Sequence, residues 1–196
     1  MAKTADKAAE AAFFDKEYTE GSRKAVGKIY SIIRNRRLSY EATIYDDVAG
    51  KRVLEYGCGT GSHSMEMARK GAEVVGIDIS EQGIRVATER AAEANLPNAT
   101  YEVMDAEEMT FPDRSFDLVI GEGILHHLDL EKCYAEISRV LKPGGKAVFM
   151  EPLGHNPAIV LFRRSTPSMR TEDEHPLMKR DLDMARKYFG HVRYEY

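Results

Sequence analysis

A short strand-forming stretch, Arg52 to Tyr56, runs directly into three glycines spaced two apart, Gly57, Gly59 and Gly61, within V-L-E-Y-G-C-G-T-G at 53–61. Glycine at the end of a strand lets the backbone turn sharply and lets a ligand approach without meeting a Cβ atom. Ser62 to Lys70 then reads as a helix, so the unit is strand, glycine turn, helix. The third glycine follows the second by two residues, which makes the pattern GxGxG. Dinucleotide binders carry GxGxxG, and the difference counts against an NAD-dependent oxidoreductase.

From this point strands and helices alternate. Strands are expected over Glu73–Asp78, Thr100–Met104, Phe116–Ile120 and Ala147–Met150. Helices are expected over Glu81–Asn95, with Ser80 as N-cap, over Leu130–Leu141, stopped by Pro143 and Gly144, and over Met178–Phe189. His191–Tyr196 reads as the start of a sixth strand. Such alternation implies parallel pairing through right-handed crossovers. The expected fold is α/β, a Rossmann-like doubly wound, mostly parallel sheet with helices on both faces. With 196 residues and no repeat or linker, one core is expected over residues 51–196, preceded by a helical lead-in or lid over 1–50.

Composition narrows the partners. A formal net charge of −4 gives the whole molecule no electrostatic case for gripping nucleic acid. Cys58 and Cys133 are the only cysteines and have no metal-ligand spacing, so neither a disulfide framework nor a metal site is expected, and a reducing, cytoplasmic setting fits. No run of eighteen apolar residues occurs. Ser22–Tyr40 holds Arg23, Lys24, Lys28, Arg34, Arg36 and Arg37 without an acid, an amphipathic basic helix over 22–40. Its basic face is either solvated or a contact for anionic substrate or membrane surface. Phe13, Phe14 and Tyr18 share one helical face, as packing or as a lid.

Asp78 stands 21 residues after Gly57, at the end of the second strand. An acid there can accept hydrogen bonds from both hydroxyls of a ribose, the alternative being a cap for the next helix. Asp105 and Ala106 follow the third strand, where a carboxylate can meet an adenine amino group or simply make a surface turn.

The chain resembles the class I S-adenosylmethionine (SAM)-dependent methyltransferases, among them small-molecule methyltransferases. The resemblance is carried by E-Y-G-C-G-T-G, by G-I-D-I-S at 76–80 and by M-D-A-E-E-M at 104–109. It continues through F-D-L-V-I-G-E-G-I-L-H-H-L at 116–128 and R-V-L-K-P-G-G at 139–145. It implies that Glu55, Gly57, Gly59 and Gly61 border the methionine end of SAM and that Asp78 holds its ribose. Ile79 and Ala106 would pack on the adenine, Asp105 would meet its amino group, and Gly121 with Glu122 would lie near the sulfonium. SAM brings an already activated methyl group, leaving S-adenosylhomocysteine, so the protein must chiefly align a nucleophile and exclude water.

A base is needed only if the acceptor arrives protonated, and His126 and His127 are the candidates. Adjacent residues on a turn point in different directions, so at most one is expected to face the pocket. Glu151, His155, Arg170 and His175 are candidates for substrate binding, or for surface ion pairs. Members of this family usually carry seven strands, with a closing antiparallel pair. Only five and the start of a sixth can be placed here, so the C-terminal pair is expected to be incomplete, as in a truncated chain whose missing tail could touch a membrane. The expected activity is methyl transfer to oxygen, nitrogen or carbon of a small molecule or modified peptide. The alternative is a SAM- or nucleotide-binding module that regulates a partner without catalysis.

Overall fold

The computed structural model describes residues 6–20, 34–156, 160 and 176–195. Five strands form one sheet: β1 (Arg52–Tyr56), β2 (Glu73–Asp78), β3 (Ala99–Val103), β4 (Phe116–Glu122) and β5 (Leu141–Met150). Their order is β3-β2-β1-β4-β5, and every pairing is parallel. Among the described residues the helices include α1 (Lys7–Glu20), α2 (Arg34–Tyr45), α3 (Ser62–Arg69), α4 (Glu81–Glu93), α5 (Leu130–Val140) and α6 (Lys179–Ala185), with a 3-10 turn at Leu125–His127.

Successive strand residues point to opposite faces, and each face buries into its own helical layer. Leu54, Val75 and Val119 enter one core with Cys133 and Ile137 of α5 and Ala185 of α6. Their neighbours Val53, Val74, Leu118 and Ile120 enter the other, with Ile44 of α2, Met67 of α3 and Ala91 of α4. Helix α5 is amphipathic for the same reason: Leu130, Cys133, Tyr134, Ile137 and Val140 recur at helical spacing and are all buried. Ser80 caps α4 as expected, its hydroxyl accepting from the Gly83 amide at 2.9 Å. Asp129 does the same for α5, accepting from Glu131 and Lys132.

Two expectations need correction, and a third falls partly outside the described residues. Helix α5 ends at Val140, and Leu141 already pairs with Phe116 as the first residue of β5. The next pairing is Leu118 with Lys146, so Lys142–Gly145 bulge out of the strand around Pro143, which has no amide to give to a ladder. Residues 191–195 form no strand, so the sixth is absent among the described residues. Alternating side chains in a short segment cannot supply a ladder by themselves, since a strand exists only through its partner. Of the basic segment 22–40, residues 22–33 lie outside the described residues, while 34–40 open helix α2, which continues to Tyr45. No helix among the described residues is long and apolar enough to cross a membrane.

Candidate active site

The chain winds from β1 to β2 and β3 on one side, then restarts on the other side with β4 and β5. At such a reversal the loops after neighbouring strands part and leave a crevice at their carboxyl ends. A cavity of about 290 Å³ lies there, walled by the tips of β1, β2, β3 and β4.

On the β2–β3 side the wall is Asp78, Ile79, Met104, Asp105 and Ala106, with Leu128. Asp78 is buried, and its two oxygens accept from the Gly59 amide at 2.8 Å and the Ser80 amide at 2.9 Å. The acid at the end of β2 therefore braces the glycine turn at the end of β1. Gly57 and Gly59 lie on the wall. Gly61 does not; it precedes the first turn of α3, and a Cβ there would meet the Tyr101 hydroxyl at 2.6 Å.

The β1–β4 side is charged: Glu55, His63, Arg37 and Glu122 line it, with Gly123 and Ile124. Glu55 accepts hydrogen bonds from the Ser64 amide, at 2.8 Å, and from the Ser64 hydroxyl. Burial pushes its carboxyl up to about 7 against the pull of His63 and Ser64. His63 joins its Nδ1 to the Tyr45 hydroxyl at 2.7 Å and its Nε2 to Glu122 Oε2 at 2.7 Å. Burial opposes its protonation, but the Glu122 hydrogen bond and the charges of Glu55 and Glu122 outweigh that and hold its pKa above the usual histidine value. Arg37 Nη1 stands 3.5 Å from Glu122 Oε1. Gly121 is behind the wall: its carbonyl accepts from the Tyr40 hydroxyl at 3.0 Å, and a Cβ would strike Phe149 and Ile124.

Helix α1 roofs the cavity. Lys7, Glu10, Phe14 and Tyr18 recur at intervals of three and four, so they share one face, and all four line the cavity. Asp15 fastens the helix, accepting from the Ser80 hydroxyl at 2.5 Å and the Gln82 amide at 3.0 Å at the start of α4. Lys7 Nζ reaches Glu107 at 2.9 Å and Asp105 at 3.5 Å. Glu10 is buried; burial raises its carboxyl to about 7, Lys7 pulling it down while Glu107, Asp105 and Asp78 push it up.

The folded protein therefore keeps a proton on Glu10 that the detached helix releases. Between about pH 4.5 and pH 7 this contribution declines as pH rises, and above that range it is lost. Amide exchange over residues 7–20, corrected for its intrinsic pH dependence, is expected to quicken from pH 5 to pH 8. Glu10→Gln should flatten the trend and hold α1 more firmly at pH 8, by on the order of 1 kcal/mol.

Neither candidate base lies on the cavity wall. His126 is buried, its Nδ1 2.7 Å from Glu151 Oε2, while Glu151 Oε1 accepts from the amides of Ile124 and Leu125 at 2.9 Å each. Glu151 and His126 thus shape the turn after β4, and neither lines the cavity. His127 packs edge-on to Phe14 at 5.5 Å, with its Nδ1 3.6 Å from Glu10, directly behind the roof. His155 is exposed and away from the cavity, and Arg170 and His175 lie outside the described residues.

Sequence reasoning singled out neither Lys7, Glu10 and His63 nor the part Arg37 takes in the cavity wall. Extending the Phe14–Tyr18 stripe back by helical steps reaches Glu10 and Lys7, and His63 stands in the first turn after the glycines.

A family described as methyltransferase domain matches residues 53–145. The chain is similar to the ubiquinone biosynthesis O-methyltransferase of Alkalilimnicola ehrlichii, 38% identical over 128 residues, which cover 64% of this chain and 51% of that one. It is similar to the demethylmenaquinone methyltransferase of Tropheryma whipplei, 36% identical over 53% of this chain and 42% of that one. Among solved structures it resembles Haemonchus contortus phosphoethanolamine N-methyltransferase 2 in complex with SAM. The TM-score is 0.66 and the identity 30%, over 79% of this chain and 36% of that one. The chain spans about half the length of the curated relatives it matches.

Proposed function

We propose that the chain, which carries a methyltransferase domain over residues 53–145 and is similar to small-molecule methyltransferases, is a class I SAM-dependent methyltransferase that transfers the methyl group of SAM to an oxygen, nitrogen or carbon nucleophile of a small molecule. One observation carries the reading: a single cavity has an acid beside an apolar slot at one end and charges of both signs at the other.

The donor set fits the ligand. An adenosyl group needs an acceptor pair for its ribose and a flat apolar slot for its base, and Asp78 stands beside Ile79, Met104 and Ala106. An amino-acid zwitterion needs an anion and a cation together, and Glu122 and Arg37 supply them. Glu122 Oε1 is buried without a hydrogen bond, so it has capacity for an ammonium donor. Asp105 would receive the adenine amino group, and α1 would serve as the lid that excludes water.

When bound, SAM supplies a methyl group on a sulfonium that a nucleophile displaces in line. The chain's share is to bind, orient and shield. A hydroxyl or ammonium acceptor must lose its proton, and His127, one layer behind Phe14, is the imidazole nearest the roof.

Calorimetry with SAM and S-adenosylhomocysteine, followed by transfer of labelled methyl to phenols, amines and activated carbons, tests the proposal. Binding with turnover on one class is the expected result. Binding without turnover on any of them favours a regulatory module, and failure to bind either ligand overturns the reading.

A further inference from the structure

His63 connects helix α2 to a carboxylate on the cavity wall. The residue is 5% exposed, its ring wedged between two tyrosines of α2, Tyr40 at 5.6 Å edge-on and Tyr45 at 5.9 Å. Both ring nitrogens are taken, one by the Tyr45 hydroxyl and one by Glu122, each at 2.7 Å. A ring packed on both sides and bonded at both nitrogens has one orientation. Glu122 is hydrogen-bonded at Oε2 by His63, while its Oε1 faces the guanidinium of Arg37, also on α2, at 3.5 Å. Helix α2 therefore grips this carboxylate twice, directly through Arg37 and through His63 by way of Tyr45. A histidine that only filled the core would need neither a carboxylate on the cavity wall nor a tyrosine behind it.

We propose that His63 is a positioning residue for the cofactor: braced by Tyr45, it fixes the Glu122 carboxylate at the methionine end of the cavity and so couples α2 to cofactor affinity. The proposal rests on the reading of the cavity as a SAM site. A carboxylate already aimed at the incoming ammonium loses no rotamer freedom on binding, and its desolvation is offset beforehand by the imidazole and the guanidinium. Without the brace Glu122 must be ordered by the ligand itself, and affinity falls.

The test is a cycle of variants titrated with S-adenosylhomocysteine in a calorimeter, thermal midpoints being taken on the same samples. His63→Ala is expected to weaken binding by about 10-fold, the loss of one charge-assisted hydrogen bond. His63→Gln places an amide near the former Nε2 and should recover most of the affinity. His63→Ala added to Glu122→Gln should cost nothing further, because the two act through one carboxylate. Tyr45→Phe, which removes one oxygen and keeps the packing, should weaken binding by about 3-fold and serves if His63→Ala does not fold. Losses that multiply in the Glu122→Gln background, a glutamine as poor as the alanine, or unchanged affinity in Tyr45→Phe each overturn the proposal. No binding by the unaltered protein overturns the cofactor reading itself.

Discussion

Replacing Asp78 with alanine should weaken binding of S-adenosylhomocysteine by about 10- to 100-fold, or about 1.5–3 kcal/mol. The carboxylate is proposed to accept from the ribose hydroxyls, and charge-assisted bonds of that kind are the strong ones. A second effect adds to the first. The same carboxylate accepts from Gly59 and Ser80, so its removal also frees the glycine turn and the entrance to α4. Asp78→Asn does not separate the two effects, since in either orientation its amide nitrogen must face a backbone N–H donor, that of Gly59 or that of Ser80. It should bind nearly as badly as the alanine. Calorimetry on both variants checks this, and wild-type affinity in either would take Asp78 out of the site.

Gly57→Ala should be as damaging, and mainly for steric reasons. Gly57 has φ +73°, in the left-handed region where a side chain costs about 1–2 kcal/mol. The added Cβ would sit 2.7–2.9 Å from three carbons of Ile124, which itself lines the cavity. Relief requires Ile124 to move, disturbing the wall of the ligand site. We expect a loss of stability of about 2–4 kcal/mol and at least 10-fold weaker ligand binding. Gly144→Ala is the control: φ is +81° and nothing lies within 4 Å of a Cβ there. It should show the conformational cost alone, with ligand affinity unchanged. Denaturant midpoints and ligand titrations on the pair distinguish the contributions, and equal effects at the two glycines would contradict the account.

The central strands and their helices were legible because burial on both faces imposes long apolar patterns. Val53 and Leu54 feed opposite cores, as do Leu118 and Val119. Asp78 was legible for a related reason: parallel strands of similar length set their tips side by side, so an acid ending β2 must stand next to the turn ending β1. What escaped were contacts between segments far apart in the chain. Nothing local in Lys7 or Glu10 says that α1 crosses the tips of β2 and β3, because that placement depends on Asp15 reaching Ser80 and Gln82. Arg37 read as part of a basic face, and only the fold sets it against Glu122. The partners of Glu151 were not legible because a strand-end acid can face either a ligand or the next turn, and here the amides of Ile124 and Leu125 donate to it.

The most direct measurement is a crystal structure of the protein with S-adenosylhomocysteine. The account predicts the ribose on Asp78, the adenine between Ile79, Met104 and Ala106 beneath α1, and the amino-acid end at Glu122 and Arg37. Ligand density outside the crevice at the β1–β4 strand tips, or a crevice closed by Phe14 and Tyr18 with the ligand excluded at saturating concentration, would contradict it.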